Sequence, residues 1–256
     1  MALAAVALAA WFVLTQLGGE EDETWARIQQ EGLMRVGMDA SWPPFEYIDG
    51  STGQIVGLDV DLARAIGQRL GVEVGLVNVG FDGLYDALYV GRFDAIVSAL
   101  PYDPLLYADV AYSMSYFNAG QVLVVSESAN RRISEADNLS GKRLGVEWGS
   151  EGDALARQLQ KKIDDLSLET YMTPQDVLSA LRDGKVEAAI VDAVSAHQFI
   201  AAEGDVQVVG DPLTDELYVI AVRLDSPLLL RAINEALVAV REDGTLERLQ
   251  EEWFRM

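Results

Sequence analysis

The sequence contains no cysteine among its 256 residues. Disulfide bonds, thiolate metal sites and a lipid anchor on an N-terminal cysteine are therefore excluded for this chain. Histidine is almost as scarce, and the single one, His197, lies in an apolar helical pattern typical of a structural residue. Acidic residues without a local histidine or cysteine cluster form no recognisable metal site, so we predict neither a metal nor a cofactor.

Basic residues are few, with 19 Lys and Arg against 41 Asp and Glu, and the formal net charge is -22. Such a charge disfavours nucleic acid and anionic membrane surfaces, and it favours solubility and cationic ligands. Because 50% of the residues are apolar, the chain can bury one large core or two modest ones. We expect a globular monomer that binds no nucleic acid.

The N-terminal residues 1–17 form an apolar run whose only polar members are Thr15 and Gln16, and the acidic stretch 20–23 follows. The run is short for a membrane span, and its length suits the apolar core of a secretory signal, although no basic residues precede it. We interpret residues 1–24 as a signal or anchor segment with an acidic linker. The protein is therefore expected to be periplasmic or extracytoplasmic, either exported or held by this anchor.

Strand and helix patterns alternate from residue 33 onward, which is typical of an α/β fold with a mostly parallel sheet covered by helices. Two lobes of about 100 residues are the natural division. The predicted strands cover residues 33–38, 54–58, 72–77, 93–98, 121–125, 143–146, 168–171, 188–191 and 217–222. The predicted helices begin near Asp59, Asp82, Ser150, Pro174, Ser226 and Asp243.

The first predicted strand is followed by Asp39, Trp42, Pro43 and Pro44. Neither proline can donate a ladder hydrogen bond, so the strand must end before them. Asp39 and Trp42 are thereby placed at the carboxyl end of a strand, where open α/β sheets bind ligands. Taken alone, the stretch is better explained as a structural turn that has a capping aspartate, and only the rest of the chain favours a ligand site.

Seven short blocks are informative through their order and spacing: LMRVG at 33–37, WPPF at 42–45, VGLDVDL at 56–62, FDGL at 81–84, FDAI at 93–96, GKRLGV at 141–146 and DGTL at 243–246. With them the chain resembles the extracytoplasmic solute-binding proteins of polar amino-acid ABC importers over about residues 31–255. The resemblance implies a two-lobed type II periplasmic-binding-protein clamshell with two crossover hinge strands, and a membrane ABC permease as partner. It implies lobe 1 from residues 25–118 and 217–256, and lobe 2 from residues 119–216.

The resemblance also implies a ligand site at the strand ends. Trp42 and Phe81 would sandwich the ligand's side chain, Asp39 would meet a basic group, and Asp192 would receive an α-ammonium group. For each of these residues a cap or a core role is the alternative. The remaining positions that the resemblance implies are Ser98, Leu100 and Ser150.

Two positions depart from the family's pattern. Members that bind α-amino acids carry an arginine that clamps the α-carboxylate, a contact that suits guanidinium, where this chain has Leu106. A small hydroxyl residue that usually follows Ser150 is replaced by Glu151. The presumed cleft is left acidic and aromatic, which favours an organic cation, while a basic amino acid held by backbone amides stays an alternative. These cleft residues are Asp39, Asp103, Glu147, Glu151 and Asp192 with Trp42, Phe81, Tyr102 and Trp148.

Two other functions are compatible with the same fold. Periplasmic cyclohexadienyl or prephenate dehydratases would use cleft acids as general acids, but a dianionic substrate requires basic groups that this cleft lacks. A ligand-binding sensor module would require a transmembrane helix and a signalling domain after the lobes, and we identify neither. We therefore expect a non-enzymatic component of an ABC importer that captures an amino acid or a related small cationic amine between two lobes.

Overall fold

The computed structural model describes residues 22–106, 108–127 and 133–254, so the predicted signal or anchor segment lies outside the described residues. No helix in these ranges has the length and apolar composition needed to cross a membrane. The helices are α1 (Glu23–Glu31), α2 (Leu58–Leu70), α3 (Leu84–Tyr89), α4 (Glu151–Gln160), α5 (Pro174–Arg182), α6 (Ala193–Glu203), α7 (Pro227–Glu242) and α8 (Thr245–Phe254). The strands are β1 (Leu33–Met38), β2 (Ser41–Trp42), β3 (Glu46–Ile48), β4 (Ile55–Val56), β5 (Glu73–Asn78), β6 (Ala95–Ile96), β7 (Val110–Tyr112), β8 (Phe117–Asn118), β9 (Gln121–Ser126), β10 (Arg143–Glu147), β11 (Ser167–Tyr171), β12 (Ala188–Asp192), β13 (Val206–Val209), β14 (Leu217–Tyr218) and β15 (Ala221–Arg223).

Two five-stranded sheets dominate the fold. Their strand orders are β5-β1-β6-β15-β7 and β11-β10-β12-β9-β13. In the first sheet β1 is parallel to β5 and β6, whereas β15 runs antiparallel to both of its neighbours. In the second sheet β10 is parallel to β11 and β12, whereas β9 is antiparallel to its neighbours. The α/β fold class is confirmed, and both sheets are mixed.

The chain passes between the two sheets twice, and the two passages lie side by side. Strand β8 pairs antiparallel with β14, and the amide of Ala119 donates to the carbonyl of Glu216 at 2.8 Å. The strand predicted at 217–222 is therefore divided, because its first half pairs with the other crossover and its second half joins the first sheet as β15. The strands of the second sheet all lie between the crossovers in sequence.

Aromatic rings pack together where the crossovers meet the first sheet. Phe45 makes edge contacts with Phe117 at 5.2 Å and with Tyr218 at 5.3 Å between ring centroids. Phe254 stacks on Phe117, and the ring of His197 lies 5.3 Å from that of Phe254. Burial lowers the pKa of His197, so the imidazole is held in its neutral form among these rings.

Residues 22–24 belong to the folded part of the chain, although the sequence pattern assigned them to the linker. The Asp22 carboxylate is buried and accepts hydrogen bonds from the amide of Trp25 in α1 and from two amides at the start of α7. Ser226, the predicted cap of α7, instead donates its hydroxyl to Thr24 at 2.9 Å. The first helix, α1, has no counterpart in the sequence prediction.

Helix α2 begins one residue before Asp59, the predicted cap. The preceding Gly57 has φ 141°, and a Cβ at this position would collide with the carbonyl group of Phe45. Only glycine can adopt this positive φ and also lacks the Cβ that would collide with Phe45. Asp59 points inward, where its carboxylate accepts hydrogen bonds from the Ala99 amide and from the Tyr116 hydroxyl.

Candidate ligand-binding cleft

A cavity of about 340 Å³ opens where β1 and β6 end, beside the crossovers. This is the carboxyl edge of two parallel strands, as the sequence pattern predicted for Asp39 and Trp42. Four predicted site residues line it, namely Asp39, Trp42, Phe81 and Ser98. The other lining residues are Ser41, Glu46, Ala99, Pro101, Glu216 and Tyr218.

Asp39 organises the part of the cavity next to β1. Its Oδ2 accepts a hydrogen bond from the amide of Phe81 at 2.8 Å, which fixes the start of the short turn Phe81–Gly83. Trp42 and Phe81 are 56% and 44% exposed, so both side chains are accessible from the cavity. A ligand at this place would meet a carboxylate and two aromatic rings.

Ser98 presents only acceptor capacity to the cavity. Its hydroxyl donates to Oε1 of Glu46 at 2.7 Å, and its oxygen accepts the amide hydrogen of Asp39 at 2.9 Å. A serine hydroxyl has one proton to donate and two lone pairs. Because the proton is used by Glu46, the free lone pair can only accept a hydrogen bond from a ligand.

Beneath Ser98, two carboxyl groups lie together in the protein interior. Glu46 is 1% exposed and Asp59 is fully buried, and as carboxylates Glu46 Oε2 and Asp59 Oδ1 accept no hydrogen bond. Burial, and then the charge of Asp59, raise the pKa of Glu46 far above its ordinary value, and burial raises the pKa of Asp59. Since two buried carboxyl groups within hydrogen-bond reach of each other do not both ionise, the pair holds one proton, which links the two oxygens.

Glu216, which is not among the predicted site residues, lines the cavity from the crossover. Its amide donates to Oδ1 of Asn118 at 3.0 Å and its carbonyl accepts the Ala119 amide, so its backbone is held by the other crossover. Burial raises the pKa of Glu216, and the charges of Glu151 and Asp192 add to this effect. No local sequence pattern marks this residue, because it enters the cleft only through the pairing of β8 with β14.

The predicted residues of the second sheet do not line the cavity. Ser150 caps α4 and Asp192 caps α6, and each side chain accepts a hydrogen bond from the amide three residues later. Glu147 ends β10, and Glu151 is exposed in the first turn of α4. The structure therefore brings these four residues to the carboxyl edge of the second sheet, outside the cavity.

Three further positions lie away from the cavity. Leu100 is buried in an apolar cluster, and its carbonyl accepts the Val219 amide at 2.9 Å. The Asp103 carboxylate accepts the Leu105 amide at 2.8 Å at the start of a short turn. Leu106, which stands where the resemblance implies a clamping arginine, packs against the same apolar cluster as Leu100 and lines a separate cavity.

Comparison with known proteins agrees with this geometry. The family model of the bacterial extracellular solute-binding proteins, family 3, matches residues 34–256. ABC transporter arginine-binding protein 1 of Escherichia coli K12 is 28% identical over 85% of this chain and 89% of its own length. The structure of an ancestral cationic amino acid solute-binding protein is 31% identical, with a TM-score of 0.65, and covers 91% of this chain and 100% of its own. An ancestral cyclohexadienyl dehydratase covers 91% of this chain with a TM-score of 0.80 at 22% identity, and this likeness shows the fold alone.

The family match spans both sheets, both crossovers and all the residues that line the cavity. The curated relatives are named as binding proteins for amino acids, among them arginine, cystine and histidine. The chain therefore belongs to the bacterial extracellular solute-binding proteins, family 3, and is a solute-binding component of an ABC importer.

Proposed function

We propose that this protein captures a small organic cation outside the cytoplasm, without a requirement for an α-carboxylate, and delivers it to an ABC permease. The relatives' names support a ligand of the amino-acid class, and two of them name arginine and cationic amino acids. The preference for a cation without a carboxylate rests on the chain's own cleft.

The observation that carries the proposal is the composition of the cavity lining. The residues that line it include three acids and no lysine or arginine. Its central hydroxyl, that of Ser98, has already donated its proton. The hydroxyls of Ser41 and Tyr218 also line the cavity, but a ligand carboxylate would lie among acids, whereas an ammonium or guanidinium group would meet carboxylates and a lone pair.

The aromatic walls favour the same kind of ligand. Trp42 and Phe81 are exposed and line the same cavity as Asp39. A cation that is desolvated against such ring faces gains about 0.5 to 2 kcal/mol for each ring. Because the two rings and the acid lie within one cavity, their contributions act on the same cationic group.

Closure of the cleft is part of the proposal. Glu151 and Asp192 lie outside the cavity, yet their charges act on Glu216 inside it. Rotation about the paired crossovers would bring both acids over a bound cation. The expected result of ligand addition is a shorter distance between labels on the two sheets in single-molecule energy transfer, and an unchanged distance at saturation would contradict closure.

We also place the protein among binding proteins rather than enzymes. A dehydratase acting on a prephenate-like dianion needs cationic groups near the substrate, and the lining residues supply none. The protein should be incubated with its ligand, and the nuclear magnetic resonance spectrum of the ligand should be unchanged afterwards. The appearance of a product would contradict this assignment. The monomeric state and the absence of nucleic-acid binding stay predictions.

Calorimetry on matched pairs tests the ligand preference. Agmatine should bind more tightly than arginine, and putrescine more tightly than ornithine, because the amino acid adds a carboxylate facing Glu151. Two like charges about 4 Å apart repel by roughly 4 kcal/mol at an effective dielectric near 20, or about a thousandfold in affinity. In Glu151→Thr, the affinity of each amine should exceed that of its parent amino acid by a smaller factor than in the wild type. If the wild type prefers the amino acid in every pair, the proposal is wrong.

A further inference from the structure

The backbone of Glu216 is held in place by hydrogen bonds to the other crossover. Its amide and its carbonyl are both bonded to the opposite crossover, at Asn118 and Ala119. Its side chain lines the same cavity as Trp42 and Phe81. A carboxylate with an anchored backbone and a free side chain at a binding cavity can serve as a contact for a ligand.

The acids of the cleft fall into two groups with different neighbours. Asp39 follows β1, donates its amide to Ser98, and its charge acts on the buried Glu46. Glu216 lies on the crossover, and the charges that act on it are those of Glu151 and Asp192. The cavity therefore has one anionic group at the end of β1 and a second one at the crossover.

The cavity has features of a ligand site besides its acids. It is walled by exposed aromatic rings, which are costly on a surface without a partner. It is also lined by Glu46, whose Oε1 accepts the Ser98 hydroxyl and so fixes the lone pair that Ser98 turns toward a ligand. The two acids Asp39 and Glu216 and the rings of Trp42 and Phe81 therefore meet in one cavity of about 340 Å³.

We propose that the ligand carries two separated cationic groups, one held by Asp39 between Trp42 and Phe81 and the other held by Glu216. Glu216 is then a residue that determines specificity for a dication over a monocation. This inference rests on the proposed function and names its ligand class as diamines and guanidino-amines. A single cation neutralises one anionic group of the cleft, whereas a dication neutralises both, and the repulsion of Glu216 by Glu151 and Asp192 is relieved only by the second charge.

The test is calorimetry with 1,3-diaminopropane, putrescine and cadaverine, each compared with the alkylamine of the same chain length. Wild type should bind at least one diamine about tenfold or more tightly than its monoamine, as expected for one added charge-assisted hydrogen bond. Glu216→Gln should lose this preference while its affinity for the monoamine changes less than about threefold. Glu73→Gln, an exposed glutamate on β5 that makes the same change in net charge, should behave as wild type.

The outcomes separate this inference from the proposed function. Glu216 is held to the other crossover by its own main-chain amide and carbonyl, which the substitution leaves in place. Glu216→Gln should therefore keep the wild-type melting temperature. If amines bind but diamines and monoamines bind equally, or if Glu216→Gln keeps the preference, the dication inference is overturned and the proposed function stands. If no amine binds while an α-amino acid does, both are overturned.

Discussion

Replacing Glu46 by glutamine should remove a pH dependence of stability that the buried carboxyl pair creates. The folded-state pKa of Glu46 lies above its unfolded value, because of burial and the nearby Asp59. The folded pair therefore keeps a proton that the unfolded chain releases above about pH 5. The stabilising contribution is complete below the unfolded pKa and is lost as the pH rises towards the folded pKa.

The size of this effect follows from the number of protons involved. One extra proton in the folded state lowers the free energy of unfolding by about 1.4 kcal/mol for each pH unit, or about 2.7 kcal/mol between about pH 6 and about pH 8. Glutamine keeps the oxygen that accepts the Ser98 hydroxyl and offers an amide hydrogen to Asp59. Since glutamine does not titrate, the variant should lose about 2.7 kcal/mol less than wild type over this range.

Urea unfolding at several pH values measures the difference. Wild type, Glu46→Gln and Glu73→Gln should be compared, since Glu73 is exposed on β5 and serves as the control for removal of one charge. The free energy of unfolding of Glu73→Gln should fall with pH as steeply as that of the wild type. Only Glu46→Gln should show a weaker dependence on pH. Parallel curves for wild type and Glu46→Gln would mean that the pair holds no extra proton, and the reasoning about the two unbonded oxygens would be wrong.

Three further predictions concern the ligand, a shared cap and a glycine. Trp42→Ala and Phe81→Ala should each weaken ligand binding at least about tenfold in calorimetry at an unchanged melting temperature, since both rings are exposed; unchanged affinity in both would place the ligand elsewhere. Asp22→Ala should cost about 2 kcal/mol in urea unfolding, because one carboxylate caps α1 and α7 together, and a loss under about 0.5 kcal/mol would contradict the shared cap. Gly57→Ala should cost more than about 3 kcal/mol, because its positive φ is combined with a collision, whereas Gly53→Ala has open space and should cost about 1 kcal/mol; equal losses would show that the backbone at Gly57 can adjust.

The part of the cleft next to β1 could be predicted from the sequence because its signals are local. Strand β1 ends at Met38, directly before Asp39 and ahead of the two prolines, and its parallel neighbour β6 ends at Ile96, two residues before Ser98. Strand ends of parallel strands share one edge of a sheet, so these side chains could be expected to meet. The structure places them around one cavity.

The residues that the sequence did not reveal depend on contacts between distant segments. Asp59 has the residue type and position of a helix cap, and only its contact with Ala99 shows that it is buried instead. Glu46 looks like an ordinary polar residue after a proline pair until Asp59 is placed against it. Glu216 enters the cleft through strand pairing across about one hundred residues of chain. Periodicity carries no information about such contacts.

The order of strands in the first sheet has a consequence for how the chain can fold as it arrives. Strand β15 lies between β6 and β7, so the first sheet stays incomplete at its middle until residue 223 is present. The second sheet takes all five of its strands from residues 121–209. If the chain crosses a membrane N-terminus first, the strands of the second sheet are all present before β15 arrives. The second sheet can therefore be completed before the first sheet, although the first sheet begins earlier in the sequence. During that interval β6 and β7 expose unpaired edges, which is the state that chaperones and proteases recognise.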